Sequence, residues 1–305
     1  MPLAVQYAQT GGPDVLHLRL VDTVPPKNGQ LQIRVATVGI NPYDFKVRQG
    51  IAPSDSPFPR GLGSDFAGVV EAVGADASYE NGSDVRVGDE VLGWATNSLA
   101  AQLVVAAGQV TRRPPALSWS VAGSLATPGL TAVASLDTLH ISADDTILLS
   151  AAAGAVGLIY AQLAVARGAR VIGTASSANH QLLRRLGVEP IEYGPGLVDR
   201  VRSLADEVTA VQDNFGRETI LAGLELGVPP NRICSIVDHA AIAEFGLASP
   251  GRYQRSAVTL AGLAEQAAGG QIELPIAAEY PIDRIVEAFN HLETRHLAGK
   301  IVVTA

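Results

Sequence analysis

One run constrains this chain more than any other: an uncharged apolar stretch from Thr146 to Ala166, broken by Gly154 and Gly157, then a second apolar segment from Arg170 to Thr174. The stretch is about as long as a membrane span. Its glycines instead divide it into a strand-sized piece, a turn and a helix-sized piece, and no other span of this kind follows. Strand, turn, buried helix and second strand make a βαβ unit, which demands a parallel sheet covered by helices.

The same grammar continues beyond this run. Apolar segments at Pro190 to Tyr193, Ala210 to Asp213 and Arg232 to Val237 alternate with helical segments, so a doubly wound α/β unit is expected past Leu117. Before Leu117 the pattern differs. Short strands at Leu3 to Tyr7, Leu16 to Leu20, Leu31 to Val38, Phe66 to Val73, Glu90 to Trp94 and Leu103 to Val105 are cut by Gly, Pro and Asn turns, as in an antiparallel, partly closed β unit. After Gly269-Gly270 strands are expected at Gln271 to Leu274 and Ile276 to Tyr280, then a helix from Ile282 to about Arg295, then a strand at Lys300 to Thr304. That last β segment implies that the chain returns to its first domain.

Composition removes several function classes. Lys and Arg number 22 against 30 Asp and Glu, for a formal net charge of -8, so there is no basic field to recruit nucleic acid or anionic lipid. Cys234 is the single cysteine, which excludes an intramolecular disulfide and any multi-cysteine zinc site within one chain. The N-terminus has no Lys or Arg before Arg19 and carries Gly11-Gly12-Pro13, unlike a signal peptide, and is read as cytoplasmic.

The turn Ala151 to Gly157 has the context of a dinucleotide fingerprint. Small residues there let the backbone approach a pyrophosphate seated on the N–H groups of the next helix, so Gly154, Ala155, Val156 and Gly157 are cofactor-binding candidates. Ala151 stands where the fingerprint has its first glycine. NAD binders place an Asp or Glu at the end of the second strand, but Ala169 to Gln181 contains no carboxylate. Thr174, Ser176, Ser177 and His180 stand there instead, with Arg184 further on, which favours a 2′-phosphate and hence NADP(H). Ser176 and Ser177 also suit helix capping, with Gly187 as the stop.

Six segments stand out together: Val38 to Asp44 (VGINPYD), Gly63 to Gly74 (GSDFAGVVEAVG), Val87 to Gly93 (VGDEVLG), Thr127 to Ala132 (TPGLTA), Ala151 to Gly157 (AAAGAVG) and Leu297 to Val302 (LAGKIV). In this order they resemble the zinc-independent, quinone oxidoreductase-like branch of the medium-chain dehydrogenase/reductase superfamily. The resemblance implies an α/β fold of two parts: a GroES-like, partly closed β-barrel catalytic domain (1–118, completed by a return segment, 266–305) and a Rossmann doubly wound parallel-sheet domain (119–265). It implies a cleft between them for nicotinamide and substrate. Asn41, Thr127, Thr131, Tyr193 and Val237 match positions near the cofactor. Zinc-dependent relatives have Cys where Asn41 stands and His where Ser64 stands, so no metal site is expected. A homodimer is implied, for which Ser256 to Leu263 would supply an edge strand.

Without zinc, hydride transfer needs an acceptor that is already electrophilic, a quinone or a conjugated enone or alkenal. A hydrogen-bond donor would then stabilise the developing oxyanion. Tyr43 is the catalytic candidate and Lys46 its possible assistant; a packed tyrosine and a solvated lysine are the alternatives. Asp44 suits a helix cap, Cys234 a core thiol, and His291 and His296 the surface. The activity expected is NADPH-dependent reduction; an NADPH-binding protein with little turnover is the alternative.

Overall fold

The computed structural model describes residues 1–251, 255–295 and 297–305. They form two compact units, Met1–Thr127 with Ser256–Ala305, and Pro128–Arg255. His296, expected at the surface, lies outside the described residues.

The first unit is built on β1 (Leu3–Tyr7), β2 (His17–Leu20), β3 (Gln30–Ile40), α1 (Pro42–Arg48), β4 (Arg60–Gly61), β5 (Asp65–Val73), β6 (Glu90–Trp94), β7 (Gln102–Ala106) and β8 (Val110–Arg112). Along β3, Leu31, Ile33 and Val35 are buried while Arg34 faces solvent, the period of two that commits one face to a core. A three-stranded sheet runs β2-β1-β4. Helix α2 (Trp119–Thr138) follows, and the division between units falls within it, at Pro128.

The second unit holds β9 (Thr146–Leu149), α3 (Ala155–Ala166), β10 (Arg170–Thr174), α4 (His180–Arg185), β11 (Glu189–Ile191), α5 (Leu197–Arg202), β12 (Ala210–Asp213), α6 (Arg217–Glu225), β13 (Ile233–Ser235) and α7 (His239–Phe245). The sheet order is β11-β10-β9-β12-β13, with every pairing parallel. All five strands therefore end at one edge, and the order reverses between β9 and β12. Crevices for ligands form at that point in open α/β sheets. The apolar run that matched a membrane span is β9, the glycine turn and α3. Among the described residues no helix is long and apolar enough to cross a membrane.

The chain then returns to the first unit through α8 (Ala257–Ala268), β14 (Ile276–Pro281), α9 (Ile285–Glu293) and β15 (Lys300–Thr304). Strand β15 lies between β14 and β3 in a sheet ordered β14-β15-β3-β5-β6-β8, with β7 also on β3. Ile285, Ala288, Phe289 and Leu292 line one stripe of α9 and join the core. The first unit is the partly closed β unit, and the second the doubly wound sheet, that the sequence grammar implies.

Three expectations need correction. Ser256 to Leu263 is no edge strand. The Ser256 hydroxyl caps α8 by accepting from the N–H groups of Val258 and Thr259, and the Ala- and Leu-rich run behind it favours helix. Because α8 packs on β8 in the first unit, the division falls at 255/256 rather than 265/266. Gln271 to Leu274 forms no strand either; Ile272 and Leu274 are buried from irregular backbone.

Candidate cofactor and acceptor sites

At the strand-end edge of the second unit, β9 leads into a turn whose Ala151 has φ +47°, a conformation suited to glycine. The N–H of Gly154 donates to Ala151 O at 2.9 Å, and Gly154 is the N-cap of α3. A Cβ on Gly157 would come within 2.3 Å of Ala151 O, so only glycine closes the helix on the turn. A Cβ on Gly154 would meet nothing nearer than that same oxygen, at 3.3 Å. In the half-buried first turn the Gly154 N–H is taken by Ala151 O, while the N–H groups of Ala155 and Val156 stand at the helix start where a pyrophosphate would fit.

Thr174 ends β10 and is buried, whereas Ser177 is exposed and Ser176 half-buried. The Ser176 hydroxyl makes no cap hydrogen bond; it accepts from Asn179 Nδ2 at 3.4 Å, and the chain makes a 3-10 turn over Ser177–Asn179 before α4. Capping therefore does not occupy the serines. His180 places Nε2 3.2 Å from Ala175 O. Tyr193, beyond β11, is exposed, and Val237, beyond β13, is half-buried with its N–H on the Ser235 hydroxyl. Thr131 lies half-buried on α2. Thus the glycine turn, Thr174 to Ser177, Tyr193 and Val237 all follow strands at the same edge.

Sequence reasoning gave no account of Gln212 to Gly216, which completes this edge. Buried Asp213 accepts from the hydroxyls of Ser150 (2.9 Å) and Ser235 (2.7 Å) and from the N–H groups of Phe215 (3.0 Å) and Gly216 (2.8 Å). One carboxylate thereby ties the ends of β9, β12 and β13 to the loop that presents exposed Phe215. Cys234 is buried in β13, and burial pushes its thiol up to about 12, so it is inert. On the first unit His291 pairs its Nδ1 with the Tyr280 hydroxyl at 3.0 Å.

The first unit contains a cavity of about 710 Å³, lined among others by Tyr43, Asp44, Val47, Arg60, Ser64 and Asn97, within the size range of small-molecule pockets. Tyr43 is 44% exposed, not packed. Lys46 is half-buried on the same helix and is not part of the lining. Behind the lining lies a buried polar network that the sequence reading missed. Lys300 Nζ donates to Asn41 Oδ1 (2.8 Å) and Asp65 Oδ2 (3.2 Å), and Asn41 Nδ2 donates to Asp65 Oδ2 (3.0 Å). Asp65 Oδ1 accepts the N–H of Thr127 at 2.6 Å. The expected cofactor residues Asn41 and Thr127 are therefore both fixed by Asp65. Its signal was a charge at the first residue of a largely apolar strand, β5, where the strand's other charge, Glu71, is exposed.

Asp44, 2% exposed, accepts the Asn41 N–H at 2.7 Å through Oδ2, which closes the first turn of α1. Oδ1 accepts the Ser64 hydroxyl at 3.3 Å. Burial raises its carboxyl from 3.8 to about 6, against the lowering effect of the Asn41 N–H and Lys300. Among the described residues no group of three or more His, Cys, Asp and Glu could hold a metal ion.

A parallel sheet with a glycine turn at its switch point, carried in one chain with a β-rich unit completed by the C-terminal strands, defines the two-domain dehydrogenase/reductase class. Residues 27–136 match the alcohol dehydrogenase GroES-like domain and residues 189–303 the zinc-binding dehydrogenase family. The quinone oxidoreductase of Pseudomonas aeruginosa is 29% identical over 99% of this chain and 99% of its own. The chloroplastic NADPH-dependent alkenal/one oxidoreductase of Arabidopsis thaliana is 30% identical, over 97% of this chain and 78% of its own. The structure of the quinone oxidoreductase from Coxiella burnetii superposes with a TM-score of 0.89 at 28% identity, covering 100% and 99% of the two chains. This chain belongs to the quinone oxidoreductase-like branch of the medium-chain dehydrogenase/reductase family, and is an oxidoreductase.

Proposed function

We propose that this protein is an NADPH-dependent reductase that transfers hydride, without zinc, to a quinone or a conjugated enone or alkenal. The observation that carries the cofactor choice is the end of β10, where Ser176 and Ser177 stand beside the glycine turn without a carboxylate. Hydroxyls there suit a 2′-phosphate, while an acid would repel it. The name of the Arabidopsis relative points the same way.

In this reading Gly154, Ala155, Val156 and Gly157 hold the pyrophosphate, and Thr174, Ser176, Ser177, His180 and Tyr193 take the adenosine half. Thr131, Val237, Thr127 and Asn41 serve the nicotinamide half. Bound NADPH supplies hydride at its nicotinamide ring. The acceptor occupies the cavity of the first unit, where the exposed Tyr43 phenol donates to the developing oxyanion. Lys46 acts at most through its neighbours on α1. Asn41 and Ser64 replace the ligands of zinc relatives, which supports a reaction without Lewis-acid help. The proposal includes a cytoplasmic homodimer, as the family resemblance implies; sedimentation would measure the association.

The test is NADPH oxidation at neutral pH with a small quinone, a 2-alkenal and a buffer blank, with NADH in parallel. Turnover with NADPH is expected, and Tyr43→Phe should lower kcat by about 10²-fold. Preference for NADH would overturn the cofactor assignment. A cofactor-induced rise in Tm without turnover across the acceptors would show a binding protein instead.

A further inference from the structure

The cavity lining contains a hydroxyl and a buried carboxyl in mutual contact, Ser64 and Asp44, neither of which the hydride reaction so far uses. We propose that Ser64 and Asp44 form the proton path of this reductase, Ser64 protonating the reduced acceptor and Asp44 reprotonating Ser64. The proposal rests on the reading of the cavity as the acceptor site.

Geometry makes the two groups a pair. Asp44 Oδ2 is fixed by the Asn41 N–H, leaving Oδ1 toward Ser64 Oγ at 3.3 Å. Ser64 is half-buried and reaches the lining, so its hydroxyl can turn from the carboxyl to a bound oxygen. The titratable and charged groups facing the pair are Lys300 on β15 and Asp65 on β5, which act on Asp44, and Asp22, Tyr43, Asp55 and Arg60, which share the cavity lining. Burial outweighs the cation, so the carboxyl keeps its proton to higher pH than a solvated aspartate. A proton store near neutrality is what general acid catalysis requires.

The step balances. Hydride from reduced nicotinamide adds two electrons to the acceptor and leaves negative charge on its oxygen. The Ser64 O–H bond breaks as the acceptor O–H bond forms, the Asp44 proton passes to Ser64 Oγ, and the resulting carboxylate takes a proton from water reaching the cavity. An enol formed from an enone then tautomerises to the saturated ketone. Ser64 is the catalytic residue of this path, and Asp44 acts through it.

Two measurements test the path. Infrared titration of the cofactor-free protein should show a protonated-carboxyl band that disappears as pH rises through about 6, is missing in Asp44→Asn and moves in frequency in Ser64→Ala. A band that titrates at the ordinary aspartate value, or that ignores Ser64→Ala, overturns the pairing without reference to any acceptor. With saturating NADPH, Ser64→Ala should lower turnover about 10²-fold while Ser64→Thr, which restores a hydroxyl, recovers most of it. Full turnover in Ser64→Ala refutes the path alone. Failure of the parent protein to turn over any acceptor refutes the reductase reading and the path with it.

Discussion

Replacing Lys300 with Met should destabilise the first unit severely. The ammonium is 3% exposed and its partner Asp65 is 0% exposed, with 3.2 Å between Nζ and Oδ2. Methionine keeps the apolar stem but leaves the carboxylate without its cation, and breaking a buried pair from one side costs about 3–5 kcal/mol. Asp65→Ala should cost at least as much, because the Lys300 ammonium would lose its counter-charge, the Thr127 N–H would lose this acceptor, and Asn41 Nδ2 would keep only the longer bond to Gly39 O at 3.3 Å. The double variant Lys300→Met/Asp65→Asn removes both charges and keeps an acceptor for Thr127. It should therefore be more stable than Lys300→Met alone, with a coupling of about 2 kcal/mol. Trp94 and Trp119 are the protein's two tryptophans and both belong to the first unit, so their fluorescence in a urea titration reports this unit directly. A loss below about 1 kcal/mol in Lys300→Met would refute the reasoning, since it would mean that water reaches the carboxylate.

Asp44 gives a pH signature. Its carboxyl is higher in the folded chain (about 6) than its ordinary 3.8, so the folded state holds the extra proton and stability falls as pH rises between those values. The drop amounts to roughly 3 kcal/mol at most, and it should vanish in Asp44→Asn when Tm is followed from pH 4 to 7. Gly157→Ala forces a Cβ onto Ala151 O and should cost about 1–3 kcal/mol, together with the NADPH-induced rise in Tm; an unchanged cofactor shift would contradict the tight turn. Ala151→Gly relieves a left-handed alanine worth roughly 1–2 kcal/mol, partly offset by glycine's entropy, so calorimetry should find it neutral to about 1 kcal/mol more stable. Ser177→Asp should shift preference from NADPH toward NADH at least tenfold in kcat/KM, and unchanged preference would remove Ser177 from the phosphate site.

Local pattern carried most of the fold. The limits expected for strands at Leu3 to Tyr7, Glu90 to Trp94, Arg170 to Thr174, Ala210 to Asp213 and Lys300 to Thr304 coincide with β1, β6, β10, β12 and β15, where apolar residues end at turn-forming ones. Strands β4 and β8 are too short to show a period, and Gln271 to Leu274 buries apolar side chains without a ladder. The glycine turn was legible because its contacts are local. The Asp65 network was not, for it joins Asn41, Thr127 and Lys300 across most of the chain, and no window of sequence contains more than one pair. Asp213 was hidden differently: it reads as the polar end of a strand, and only the parallel ladder reveals that Ser150 and Ser235 converge on it.

The place of β15 also sets an order of events during synthesis. Residues 37–40 of β3 pair with residues 301–304, so that stretch of β3 keeps an open edge until residues 301–304 have been made. The unit from Pro128 to Arg255 contains all of its own strands and can close first. A nascent chain therefore carries a finished nucleotide-type sheet behind a first-unit sheet still open to unwanted pairing, and the interval lasts for the time the ribosome needs to add residues 256–304.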